Sequence, residues 1–136
     1  MKRIFVDTSA FFALADETDK DYQEAKKLSD KISREKLEIV ISGHILSETL
    51  TLVRRRMGFQ KALLIGNKLF NSKITTLIIA DEKILNNAWG VFQKYSDKDF
   101  SFVDCISFVI MNEEGIDTAF TFDRHFEQIG FKILGK

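Results

Sequence analysis

Asp7, Glu48, Asp104 and Asp123 stand where short apolar segments end or amphipathic helices begin. Asp7 closes the run Ile4-Phe5-Val6, Asp104 lies inside Phe102-Val103-Asp104-Cys105-Ile106, and Asp123 follows Thr118-Ala119-Phe120-Thr121-Phe122. An ionised carboxylate is costly to bury unless it is paired or holds a metal. Acids converging from separate segments would form a site for a hard cation, magnesium or manganese.

The elements that must carry these acids alternate along the chain. Arg3 to Val6 is expected as a buried strand, followed by a short helix over Ser9 to Ala15 with Ser9 as its cap. Thr18 and Asp21 have the spacing of a capping box before a helix reaching about Arg34. Leu37 to Ile41 is a second strand. Helices follow over His44 to about Arg56, closed by Gly58, and over Phe59 to Phe70. Thr75 to Ile79 is a third strand, and a helix runs from Asp81 to about Tyr95. An apolar helix covers Ser101 to Glu114 and stops at Gly115. Thr118 to Phe122 is a fourth strand, a turn of helix starts at Asp123, and Phe131 to Leu134 is a last strand.

Strands separated by helices imply crossover connections and a parallel sheet. The strand segments show little alternation, as expected when both faces are covered. Residues 1–136 therefore read as one α/β domain with a central parallel sheet of about four to five strands. Functional groups in such sheets gather beyond the carboxyl ends of the strands. Asp7 and Asp123 follow strands directly, and Asp104 lies in the first turn of a helix that starts at that edge. Glu48 shares helical spacings with Ile45 and Leu52, which predicts an inward-facing side chain. Two carboxylates about 4 Å apart repel by roughly 4 kcal/mol at an effective dielectric near 20, and a divalent cation relieves that repulsion.

Structural roles compete with the chemical one. Asp7 and Asp123 are each placed to cap a helix, and Asp104 is at capping-box distance from Ser101. Glu48 has Arg55 and Arg56 within reach of an ordinary ion pair. His44 and His125, both near helix starts, fit polar surface or capping roles better than catalysis. Arg54, Arg55 and Arg56 fit a solvated helix end.

Composition narrows the function classes. A 45% hydrophobic share and 29% charged residues are ordinary for a globular chain. Thirteen phenylalanines point to a large aromatic core. Twenty basic and twenty acidic residues cancel, so net charge neither demands nor excludes nucleic acid. The lone Cys105, among apolar neighbours, excludes an internal disulfide and reads as an inert buried thiol in a reducing cytoplasm. Charged residues interrupt every apolar run before it reaches membrane-spanning length.

The same residues resemble the PIN domain family. Phe5-Val6-Asp7-Thr8-Ser9-Ala10-Phe11 is similar to that family's opening, and Ser47-Glu48-Thr49 to its second acidic position. Ser101-Phe102-Val103-Asp104-Cys105-Ile106-Ser107-Phe108 and Thr121-Phe122-Asp123-Arg124-His125-Phe126 are similar to the third and fourth. The compact chain looks most like the VapC-type toxins of toxin–antitoxin pairs. Many relatives carry a hydroxyl residue before the third acid, where Val103 stands here.

The resemblance implies a PIN-like three-layer α/β/α sandwich and a magnesium- or manganese-dependent endoribonuclease. It also implies RNA as substrate, a homodimer and a small cognate antitoxin in the active-site groove. Asp7 and Asp104 are then the expected direct metal ligands, with Glu48 and Asp123 completing the catalytic site. Thr8 and Ser9 steady ligands or water, and Arg124, Arg54 and nearby lysines hold the RNA backbone. The expected reaction is phosphodiester hydrolysis by a metal-activated water. Two other classes remain: a PIN-like RNA-processing nuclease that is not a toxin, and a non-catalytic binding scaffold. A receiver-type phosphotransfer domain would want an adjacent acidic pair after the first strand, and Asp7-Thr8-Ser9 lacks it.

Overall fold

The computed structural model describes residues 2–136. The elements run β1 (Arg3–Val6), α1 (Thr8–Ala15), α2 (Tyr22–Arg34), β2 (Glu38–Ser42), α3 (Gly43–Met57), α4 (Phe59–Asn71), β3 (Thr75–Ile78), α5 (Glu82–Lys94), α6 (Phe102–Glu114), β4 (Thr118–Phe120), α7 (His125–Gln128) and β5 (Lys132–Ile133). The strands form one parallel sheet in the order β3-β2-β1-β4-β5, the middle layer of an α/β/α sandwich. Chain order reverses at β1, with β2 on one side and β4 on the other. Parallel sheets open a crevice at such a reversal, outside the carboxyl ends of the strands.

Apolar runs become strands here because both faces of the sheet are covered. Ile4, Phe5, Val6, Ala119 and Phe120 have almost no accessible surface. Phe108 packs edge-on against Phe126 with ring centroids 5.0 Å apart, and Phe126 tilts against Phe5 at 6.2 Å. This aromatic wedge ties α6 and α7 to Phe5 of the first strand. The expected phenylalanine core is only part of the picture, since Phe59, Phe70, Phe92 and Phe102 remain exposed. Cys105 is fully buried, and burial pushes its thiol up to about 11, so it is inert at neutral pH.

Several local expectations are corrected. Neither Ser9 nor a Thr18–Asp21 box caps a helix: α1 begins after Asp7 and α2 after Asp21, each without a side-chain cap. Thr18 instead donates its hydroxyl to Asp16 Oδ1 at 2.6 Å, because the turn before α2 places Asp16 closer than the helix end. β4 stops at Phe120, and Thr121 and Phe122 leave the sheet to engage the segment after β1. The helix ends at Gly58 and Gly115 stand as expected; Gly58, at φ +96°, makes the turn between α3 and α4 that an L side chain rarely adopts.

Candidate metal centre

The site is built at the reversal between β1 and β4. Val6 is paired with Phe120, and the Asp7 amide continues the pairing by donating to the Phe120 carbonyl at 3.0 Å. Asp7 is therefore buried at the strand end, with 6% of its surface exposed. Its Oδ2 accepts from the Ser9 hydroxyl at 2.9 Å and from the Thr121 hydroxyl at 3.0 Å. Those hydroxyls accept in turn: Ser9 Oγ from the Phe122 amide at 3.0 Å, and Thr121 Oγ1 from the Asp123 amide at 2.9 Å. Two hydroxyls thus bind the Asp7 segment to the loop that carries Asp123.

Asp104 reaches the same place from α6. Ser101 and Asp104 form a full capping box, so the structural role expected for Asp104 is real. It occupies one oxygen: Asp104 Oδ2 accepts from the Ser101 amide at 3.0 Å and lies 2.8 Å from His125 Nδ1. Asp123 Oδ1 accepts from the His125 amide at 3.0 Å and lies 3.1 Å from the same ring nitrogen. Carboxylate oxygens only accept, so Nδ1 is the protonated ring atom between two acids. Phe100 packs edge-on against the imidazole at 5.5 Å and restrains the ring.

A common arrangement results. Asp7, Asp104 and Asp123 each commit one oxygen to hydrogen bonds, and the second oxygen of each accepts none among the described residues. Burial is the largest cause raising Asp7, to about 6, with Asp104 and Asp123 adding repulsion against the lowering bonds from Ser9 and Thr121. Asp104 is also raised, mainly by burial, while the Ser101 amide and His125 pull it down. Asp104, Asp123 and His125 offer ligand atoms that all lie within 4.8 Å of one another, a group able to hold a divalent cation. Free carboxylate oxygens suit a hard cation, whereas His125 Nδ1 is spent on the acids and orients them. The donor set therefore fits magnesium or manganese.

Glu48 does not face inward. It is exposed, and the buried stripe of α3 is Ile45, Thr49 and Val53. Ile45 and Leu52 flank Glu48 at helical spacing, yet Glu48 lies at the edge of that arc. Thr49, fully buried and donating to Thr8 Oγ1 at 3.4 Å, takes the central position. Glu48 opens into a cleft of about 530 Å³ shared with His44, Leu52, Arg55 and Val103. Val103, the residue before Asp104, is also on its lining. No ion pair joins Glu48 to Arg55 or Arg56 among the described residues.

The sequence reading assigned His125 to surface or capping chemistry, and the structure puts it between two acids. Thr121 was not singled out at all. The signal for both was their place beside Asp123 in Thr121-Phe122-Asp123-Arg124-His125. Among the arginines, Arg54 lies over the Phe59 ring at 5.1 Å, in a separate groove between α3 and α4. Arg56 lies over Phe12 at 5.8 Å. Phe11, Phe12 and Leu46 are half-buried against the core rather than free. No helix among the described residues is long and apolar enough to cross a membrane.

A model of the PIN domain family matches residues 4–132. The chain is 32% identical over 128 residues to the 23S rRNA-specific endonuclease VapC20 of Mycobacterium tuberculosis, covering 94% of this chain and 95% of that protein. The crystal structure of that VapC20, described as a sarcin–ricin loop cleaving toxin, superposes with a TM-score of 0.86 over 94% of this chain and 95% of that one, at 31% identity. FitAcB from Neisseria gonorrhoeae matches with a TM-score of 0.72 at 14% identity, over 97% and 96% of the two chains. VapBC2 from Rickettsia felis, bound to a promoter DNA fragment, matches at 0.69 and 14%, over 96% of each. These last two likenesses speak to the fold alone.

Proposed function

The chain belongs to the PIN domain family, with VapC-type toxin endoribonucleases as its near relatives, and we propose that residues 1–136 act as one metal-dependent endoribonuclease domain, the toxin of a toxin–antitoxin pair. The observation that carries this reading is the triad of half-committed acids: Asp7, Asp104 and Asp123 are each fixed through one oxygen and open through the other. Asp7 and Asp104 are the direct ligands of a magnesium or manganese ion. Asp123 and Glu48 complete the site, directly or through water. When bound, the cation polarises the scissile phosphate and lowers the pKa of a water.

The protein's own groups do the remaining work. Ser9 and Thr121 hold Asp7 in one rotamer, and His125 fixes the spacing of Asp104 and Asp123. The buried Phe100 ring, edge-on to His125, backs the imidazole that holds the two acids. Thr8 stabilises the first turn of α1 through Thr49. Arg124, exposed beside Asp123, contacts the RNA backbone.

The near relative VapC20 is named for 23S rRNA and the sarcin–ricin loop, and we take that loop as the first substrate to test. A cleft lined by Phe12, Phe122, Asp19, Asp21 and Asp123 holds three carboxylates against Lys20 and Arg124, an excess that suits an arginine or lysine from a small antitoxin. The exposed Trp89 and Phe92, stacked at 5.7 Å, support a homodimer contact.

The test is cleavage of a sarcin–ricin loop hairpin and of total RNA by antitoxin-free protein in manganese. The products should carry 5′-phosphate and 3′-hydroxyl ends, and both EDTA and Asp7→Asn should abolish cutting. Cyclic phosphate ends, or cutting that survives EDTA, would sink the mechanism.

A further inference from the structure

Three stripes divide α3. Ile45, Thr49 and Val53 are buried, Leu50 and Arg54 face the groove against α4, and His44, Glu48, Leu52 and Arg55 line the cleft beside Val103. Glu48 and Arg55 are seven residues apart, roughly 10 Å along the helix axis, too far to pair directly in this direction. Both are exposed, and neither has an ionic partner among the described residues. One cleft thus holds an acid, Glu48, and a free guanidinium, with Val103 of α6 also on its lining. At Leu52 it meets the second cleft, which carries Ser9, Asp123 and Arg124. Glu48 is on the lining of the first cleft and Asp123 on that of the second.

We infer that Arg55 binds an RNA phosphate neighbouring the scissile one, so that the substrate strand runs along α3 from the acids toward Arg55. This rests on the endoribonuclease reading above. The second cleft is the poorer phosphate seat, because Asp19, Asp21 and Asp123 outnumber Lys20 and Arg124 there. In the first, Glu48 is the only acid, and a cation held at the centre would offset its charge. A guanidinium offers a planar fork of donors that matches phosphate oxygens, and lysine would supply charge without that geometry. Arg54, one residue earlier, is turned some 100° away into the α4 groove, so the role expected of it passes to Arg55.

The experiment measures binding of a fluorescein-labelled sarcin–ricin loop hairpin in calcium, with single-turnover cleavage in manganese alongside. Arg55→Gln should weaken RNA binding roughly tenfold and flatten the dependence of log Kd on log salt by about one. Its cleavage rate at saturating enzyme should stay within about twofold of the parent, because the residue holds substrate and not the reacting atoms. Arg55→Lys should recover part of the affinity, and Arg54→Gln should match the parent. The inference is overturned if Arg55→Gln binds RNA like the parent, which would leave the guanidinium free for a carboxylate of a protein partner. It is overturned equally if Arg54→Gln loses as much as Arg55→Gln, which would mean diffuse charge without a seat. Absence of cleavage by the parent would count against the nuclease reading, while the binding comparison would still decide the place of Arg55.

Discussion

His125 Nδ1 lies 2.8 Å from Asp104 Oδ2, so the first residue of α7 holds an acid on α6, 21 positions earlier in the chain. The same nitrogen is 3.1 Å from Asp123 Oδ1. One donor thereby sets the distance between two carboxylates that repel each other. Metal-site partners of this kind typically change affinity by 10–100-fold when removed, and His125→Ala is expected to weaken manganese binding by about that range. His125→Asn, whose amide can stand in for Nδ1–H, should keep much of it. Calorimetric titration of folded variants decides the point, and parent-like affinity in His125→Ala would remove the positioning role.

Asp7 makes metal-free stability depend on pH. Its folded value of about 6 exceeds the ordinary 3.8, so between those values the native state holds a proton that the unfolded chain has released. Stability from this group therefore falls as pH rises through about 4 to 6, and the cost is fully present at neutral pH. That cost is roughly 3 kcal/mol at most. Asp7→Asn should be more stable than the parent in EDTA at pH 7, with the difference shrinking toward pH 4. Urea unfolding at the two pH values measures it; equal stabilities at pH 7 would contradict the assignment of strain to Asp7.

Divalent metal should reverse the cost. A cation that binds only the folded state at a hundred times its Kd adds about 2.7 kcal/mol. Thermal melts should rise with manganese in the parent, and Asp7→Asn and Asp104→Asn should lose most of that rise while remaining folded. Full shifts in both variants would mean that other residues hold the metal.

Thr121 bonds in two directions, to Asp7 Oδ2 at 3.0 Å and from the Asp123 amide at 2.9 Å. Thr121→Val keeps the shape and removes both bonds in a buried place, a loss of about 1–3 kcal/mol. Thr121→Ser should restore stability and manganese affinity together. If Thr121→Val costs stability but leaves manganese affinity unchanged, the hydroxyl is purely structural.

Much of this was legible in the chain. β-branched and aromatic runs bounded by acids marked the strands within a residue or two, and Gly58 and Gly115 marked helix ends, because these signals are local. Acids embedded in apolar segments identified Asp7 and Asp104 as buried, since desolvation makes such placements rare without a purpose. Glu48 was misread because an apolar neighbour at three and another at four residues locate a side chain only to within a broad arc. Whether Glu48 or Thr49 filled the centre depended on how α3 rolls against α1 and α4. Thr121 and His125 carry no signal beyond their place beside Asp123 for a related reason: their partners lie 114 and 21 residues away. The parallel pairing of β4 beside β1 brings Thr121 to Asp7, and the packing of α7 against α6 brings His125 to Asp104. Residue type and spacing marked the candidate acids; strand order and helix packing decided which of their neighbours hold them.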